Sequence, residues 1–236
     1  MAMYNQQHKT AAMIIAGAFL LSGCGDEEVF QNSGNVTANP GTVSQNNFSV
    51  LASDLNPSVF DSTGSTLTFT TLTITAYVGD INNQVLTDPH TVYFKAEWGL
   101  IEPSCTTVAG TCSVTWQSSQ FGTQPTDFQN TITAYTAGVE SFTDTNGNGS
   151  YDDADAGFDD IEEPYVDVDE SNSFTAGDLI IDTVNGNDTT GSNGVHDIGD
   201  GLYNGSACTH TSQCSTLTLI TVWDDVTIDM QESATP

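Results

Sequence analysis

Leu72-Thr73-Ile74-Thr75-Ala76-Tyr77-Val78 sets an apolar side chain at every second position, with Thr or Tyr between. Side chains of an extended chain point alternately to opposite faces, so this stretch reads as a strand with one face in a core and one in water. Phe48-Ser49-Val50-Leu51-Ala52, Leu67-Thr68-Phe69, Val92-Tyr93-Phe94-Lys95-Ala96, Cys112-Ser113-Val114-Thr115-Trp116 and Thr131-Ile132-Thr133-Ala134-Tyr135 share its composition. Thr, Val, Ile and aromatic residues suit a pleated, half-buried surface. The alternation slips between Phe69 and Leu72, which predicts a bulge or a strand break. Leu217-Thr218-Leu219-Ile220-Thr221-Val222-Trp223 and Val226-Thr227-Ile228-Asp229-Met230 return to the same pattern near the C-terminus. No apolar stripe of helical period runs beyond two turns. Short strands at this spacing predict an all-β sandwich that the C-terminal strands rejoin.

The order of pieces within residues 66–138 is more specific than any one of them. Asp80-Ile81-Asn82-Asn83-Gln84-Val85 is followed by Thr91-Val92-Tyr93-Phe94, then Gly99-Leu100-Ile101-Glu102-Pro103-Ser104-Cys105-Thr106-Thr107. Gly110-Thr111-Cys112-Ser113-Val114-Thr115-Trp116 and Thr131-Ile132-Thr133-Ala134-Tyr135 complete the series. It resembles bacterial immunoglobulin-like domains of the invasin/intimin type, over about a third of the chain. Pro89-His90 stands where that family usually has Asp-Gly, which alters one turn. The resemblance implies an immunoglobulin-like β-sandwich with spacer or adhesive duty.

Residues 144–200 hold 16 of the 31 acids among many Gly and Asn. A solvated acidic loop is one reading, but the spacing argues for another. Asp144-Thr145-Asn146-Gly147-Asn148-Gly149-Ser150-Tyr151-Asp152-Asp153-Ala154-Asp155 has oxygen-bearing side chains at its first, third, fifth, ninth and twelfth places. Gly149 is sixth, where a sharp turn is needed; Ser150 offers its carbonyl at the seventh and Tyr151 is the apolar eighth. This resembles the calcium loop of EF-hands and dockerins, whose spacing wraps six to eight oxygens around one hard cation. The implied ligands are Asp144, Asn146, Asn148, Ser150, Asp152 and Asp155. Asp167–Asp178 repeats the pattern with Asp167, Asp169, Ser171, Ser173 and Asp178, and Asn172 replaces the turn glycine. A third, broken copy lies in Asp182–Asp200, where Asn193-Gly194-Val195-His196-Asp197 is similar to the first loop. The expectation is an acidic, loop-rich calcium-binding insertion holding one to three structural Ca²⁺ ions. No long amphipathic helix flanks these loops, so they read as staples and not as a sensor.

The charge balance agrees. Lys9 and Lys95 are the only Lys or Arg, against 31 acids, for a net charge of −29. Phosphate binding runs on Lys and Arg, so a nucleic-acid partner is excluded. Cys105, Cys112, Cys208 and Cys214 allow three disulfide connectivities, of which the local one, Cys105–Cys112 with Cys208–Cys214, is simplest. A zinc site is disfavoured by the absence of a CxxC spacing.

The N-terminus carries a different signal. A polar stretch with Lys9 precedes the apolar run from Ala11 to Leu21. That run is short for a membrane span, which takes about 20 residues, and fits the core of a signal peptide. Leu21-Ser22-Gly23-Cys24 follows and resembles the lipobox of bacterial lipoproteins. The resemblance implies cleavage before Cys24, acylation of that residue and a lipid-anchored protein. Gly25 in place of Asp favours the outer membrane. The expected organisation is a signal peptide over 1–23 and a flexible tether over 24–46. An immunoglobulin-like sandwich follows over 47–139, an acidic calcium-loop segment over 140–207, and closing strands with a tail over 208–236.

No nucleophile elbow, phosphate loop or dinucleotide fingerprint is present. His90, His196 and His210 lack the partner spacing of a metal site, and Trp98, Trp116 and Trp223 read as core or sheet-packing residues. The expected function is non-enzymatic: an outer-membrane-anchored surface lipoprotein with a structural or adhesive role and a protein or glycan partner. Alternatives are a periplasm-facing accessory lipoprotein of an envelope complex or polymer, and a calcium-dependent carbohydrate-binding module that stacks sugar on an exposed Trp.

Overall fold

The computed structural model describes residues 41–61 and 66–232. The signal segment, Cys24 and most of the expected tether lie outside the described residues. The strands are β1 (Phe48–Ala52), β2 (Ser58–Phe60), β3 (Thr71–Val78), β4 (Thr91–Ala96), β5 (Leu100–Ile101) and β6 (Ser104–Thr106), then β7 (Thr111–Gln117), β8 (Gln129–Gly138), β9 (Tyr165–Val166), β10 (Leu179–Ile180), β11 (Ile220–Asp229) and β12 (Gln231–Glu232). Among the described residues the only helical element is a 3₁₀ turn, Gln45–Asn47.

Two four-stranded antiparallel sheets, ordered β1-β3-β7-β5 and β11-β8-β4-β6, form a β-sandwich. The alternation of β3 is realised: Leu72, Ile74, Ala76 and Val78 are buried, while Thr71, Thr73 and Tyr77 are exposed. Val50, Val114 and Trp116 join them from one sheet, and Val92, Phe94, Ile132, Ala134, Val222 and Ile228 from the other. Each fully buried aliphatic or aromatic side chain of this kind contributes roughly 1.5–3 kcal/mol. Trp116 Nε1 donates to Trp98 O at 2.8 Å, satisfying the indole inside the core. Gly99, at φ 93°, lets the chain turn past that indole, where a Cβ would collide with the Trp116 ring. Cys105 and Cys112 are joined, so a disulfide ties β6 of one sheet to β7 of the other.

Three boundaries differ from the sequence expectation. Residues 43–46 do not belong to a tether. Val43 and Ser44 are fully buried, and Ser44 bridges Val139, because this short segment fills the end of the sandwich beside β8. Ile220–Trp223 and Val226–Asp229, the larger parts of the two C-terminal runs, form one ten-residue strand, β11, through Asp224-Asp225. Asp224 Oδ2 accepts the Val50 N–H at 2.9 Å, which gives a buried-side carboxylate a partner on the edge strand β1. Finally, the closing unit starts at Ile220 and not at 208. Ile220 pairs with Gly138, the last residue of β8, and Cys208 and Cys214 instead bridge Tyr151 and Tyr203 of the acidic segment.

Candidate metal centres in the insertion

Residues 139–219 leave the sandwich at the end of β8 and return to its neighbour β11. They are held against that sheet by polar contacts to backbone. Thr133 Oγ1 donates to Tyr165 O at 2.7 Å, Trp223 Nε1 to Glu162 O at 3.0 Å and Lys95 Nζ to Ile180 O at 3.0 Å. Few of the insertion's aliphatic residues are buried, and aromatic clusters serve as its packing centres. Phe142, Tyr151, Phe158 and Tyr203 meet edge to face or tilted at 5.1–5.9 Å. Tyr165 packs on Trp223 of β11 and is itself met by Phe174 and His196, which stack on each other. Cys208 and Cys214 are joined in a polar loop beside the first cluster.

Asp144–Asp155 lies between the bridged residues Phe142 and Phe158. Asp144 Oδ2 accepts the Gly149 N–H at 2.7 Å, and Oδ1 those of Gly147 and Asn148. Gly149 has φ 74°, as its sixth place requires. Asp155 closes the loop: Oδ1 accepts the Thr145 N–H at 2.8 Å and Oδ2 that of Asp152 at 2.9 Å. Asn146 and Asn148 both donate through Nδ2 to the Asp152 carboxylate. The Ala154 amide and these side chains hold the Asp152 carboxyl below its ordinary range, so it stays charged. Asn148 Oδ1 accepts the Ser150 N–H at 2.8 Å.

Asp167–Asp178 spans the turn of the β9–β10 ribbon. Its bonds fall at the same places. Asp167 Oδ1 accepts the Ser171 N–H at 3.1 Å and Oδ2 that of Asn172 at 2.7 Å. Asp178 accepts the N–H groups of Val168 at 2.9 Å and Thr175 at 2.5 Å. Ser171 Oγ donates to Ser173 O at 2.8 Å, so two of the expected ligand oxygens face each other. Carboxylate oxygens of Asp167, Asp169 and Asp178 all lie within 4.8 Å of one another, a grouping that could hold a metal ion. Hydrogen bonds, that of Ser171 foremost, keep the Asp169 carboxyl below its ordinary range.

The third copy is completed by residues the spacing did not disclose. Gly194, at φ 77°, donates to Asp182 Oδ2, and Asn193 Oδ1 accepts the Val195 N–H at 2.7 Å. The closing carboxylate is Glu163, which accepts the Thr183 N–H at 2.9 Å and the Asp197 N–H at 3.1 Å. Glu163 is fully buried, and burial pushes its carboxyl up. Its oxygens and those of Asp188 and Asp197 also lie within 4.8 Å of one another. Asp182 Oδ1 is buried with no hydrogen-bond partner. No twelve-residue window contains Glu163 with Asp197; an acid flanked by Ile161, Pro164 and Tyr165 was the available signal.

Trp98 and Trp116 are buried, whereas Trp223 is half-buried and its indole N–H is bonded to the insertion. No known protein family, curated protein or solved structure matches this chain.

Proposed function

We propose that this protein is a non-enzymatic lipoprotein of the bacterial outer membrane. Its β-sandwich carries a calcium-stapled acidic insertion for a structural or adhesive role at the cell surface. The observation that carries the calcium reading is the repeat of one hydrogen-bond pattern in Asp144–Asp155 and Asp167–Asp178, with carboxylates converging in the second loop. All donors there are carboxylate, amide, hydroxyl or carbonyl oxygens, the set a hard cation such as Ca²⁺ takes. Without a cation, the repulsion among carboxylates has little to offset it, because Lys95 is the only Lys or Arg among the described residues. Extracellular modules bind Ca²⁺ at about 10⁻⁴–10⁻³ M, so calcium in the surroundings serves as a fixed structural part.

Anchoring rests on Leu21-Ser22-Gly23-Cys24. Two or more acyl chains on Cys24 give stable attachment, each buried CH₂ contributing roughly 0.8 kcal/mol. The test is fractionation of cells expressing the wild type and Cys24→Ser, with protease shaving of intact cells. The proposal expects acyl-labelled wild type in the outer membrane, loss on shaving, and release of Cys24→Ser. An unlabelled wild type that fractionates like Cys24→Ser contradicts the anchor. Resistance to shaving in intact but not lysed cells supports a periplasm-facing role instead.

A further inference from the structure

We propose that Asn146-Gly147, Asn148-Gly149 and Asn193-Gly194 are sites of spontaneous modification: the closed loops latch these steps, and an opened loop turns each Asn into aspartate or isoaspartate. The proposal needs no bound ion and does not rest on the calcium reading.

Asn before Gly is the pair in which ring closure is least hindered, since glycine has no Cβ to shield its nitrogen. The Gly nitrogen attacks the Asn Cγ. An N–Cγ bond forms, the Cγ–Nδ2 bond breaks, and the glycine N–H proton leaves with Nδ2 as ammonia. Water then opens the succinimide at either carbonyl, giving aspartate or isoaspartate. No oxidant, reductant or cofactor takes part.

Five Asn-Gly pairs occur among the described residues, all in the insertion. Asn185 and Asn204 are each 1% exposed, with Nδ2 bonded to Asp197 O at 3.0 Å and Leu202 O at 2.8 Å, so packing holds both amides. The other three Asn are exposed and share one geometry. Each turns its Oδ1 onto the N–H two residues on: Asn146 to Asn148 at 3.0 Å, Asn148 to Ser150 at 2.8 Å and Asn193 to Val195 at 2.7 Å. This ring keeps Cγ beside the intervening glycine nitrogen and polarises its carbonyl, as attack requires. Nothing lies within 4 Å of where a Cβ on Gly147 or Gly194 would stand, so no neighbour blocks the approach.

The latch acts on the two reacting nitrogens. Gly147 donates its N–H to Asp144 Oδ1 and Gly149 to Asp144 Oδ2, both at 2.7 Å, and Gly194 donates to Asp182 Oδ2. A nitrogen whose proton is held by a carboxylate resists losing it, because the negative charge beside it disfavours a second one. The side-chain amides are held in turn: Asn146 and Asn148 donate through Nδ2 to Asp152, and Asn193 to Asp197. In the second loop Ser173 follows Asn172, so a Cβ hinders the same closure. Conversion replaces a donor to Asp152 by a carboxylate, and isoaspartate adds a carbon to the backbone between Asp144 and Asp155. A modified loop therefore does not reclose on its former bonds, and its opening is recorded covalently.

The test follows Asn-to-Asp conversion by mass mapping while the full-length protein is incubated in mildly alkaline buffer with millimolar Ca²⁺, beside the same chain in urea. Only the open fraction reacts, so Asn146, Asn148 and Asn193 are expected to convert at least about tenfold more slowly in the native protein than in urea. Asp144→Ala should raise conversion at Asn146 and Asn148 toward the rate in urea and leave Asn193 at the native rate. Native conversion as fast as that in urea overturns the proposal. So does an Asp144→Ala variant in which Asn146 and Asn148 keep the native rate. If the variant unfolds the insertion, which conversion of the packed Asn185 and Asn204 would reveal, the comparison of native protein with urea decides.

Discussion

Asn172 donates its backbone N–H to Asp167 Oδ2 at 2.7 Å from a left-handed φ of 57°. Gly149 makes the same bond to Asp144 Oδ2, at the same length, from φ 74°. The backbone of the second loop therefore reaches the turn of the first without glycine, and Asn is among the few other residues that visit this region readily. The two loops share a shape although their ligand types differ, which places the design in the backbone bonds to the first and twelfth carboxylates.

Substitution at this turn should discriminate backbone from side chain. Asn172→Ala places a Cβ-bearing residue without local hydrogen bonding at a left-handed φ, at roughly 1–2 kcal/mol. Asn172→Gly should be neutral or slightly stabilising. Denaturant melts in Ca²⁺ check both. Equal effects of Ala and Gly would show that the turn conformation does not matter.

A half-buried acid just after β4, Glu97, predicts a pH dependence. Burial, first, and then the neighbouring Glu170 and Asp127 push the Glu97 carboxyl up to about 7, against the lowering effect of its Thr131 backbone bond. Glu97 Oε2 is buried without a hydrogen-bond partner. The folded form holds this proton more tightly than the unfolded chain does, so stability falls as pH rises from the unfolded carboxylate range through about 7. Glu97→Gln should therefore melt higher than the wild type at pH 8 and show a smaller difference at pH 5. A constant difference across that window rules out titration of Glu97 as the cause.

The two disulfides should differ in reach. Cys105–Cys112 links the two sheets, so Cys105→Ala with Cys112→Ala should lower global stability by about 2–3 kcal/mol in the chain-entropy picture. Cys208–Cys214 closes a loop of the insertion, and its removal should loosen residues 203–215 while the sandwich keeps its protection. Hydrogen exchange on both variants separates local from global opening. Identical exchange patterns would contradict the assignment.

The sandwich was legible because its strands alternate apolar residues with Thr, Ser or Tyr, although in β8 the insertion covers the second face and Thr131 and Thr133 are buried too. Leu72 to Val78, Cys112 to Trp116 and Thr131 to Tyr135 all fall within strands of the core. Leu217 and Leu219 alternate equally well but stay outside β11, because β8 ends at Gly138 opposite Ile220 and offers them no ladder. Nothing local marks Val43 as buried, since its place depends on the distant Val139. The same limit applies to the insertion. The continuous loops follow from spacing within twelve residues, whereas Glu163 reaches Thr183 and Asp197 only through folding.

On the calcium reading, bound ions fold the acidic insertion onto a sandwich that stands on its own core. A ligand bound only by the native form stabilises it by RT ln(1 + [L]/Kd), about 2.7 kcal/mol at a hundredfold excess over Kd. For a chain of this size that corresponds to a shift on the order of 5–10 °C. The measurement is a thermal melt of the full protein in excess chelator and again in millimolar Ca²⁺, with limited proteolysis under both conditions. A higher melting temperature and protection of residues 144–178 are expected in Ca²⁺, both abolished in Asp144→Ala with Asp167→Ala. A melting temperature and cleavage pattern indifferent to Ca²⁺ would show that the acidic segment is a solvated surface and binds no structural ion.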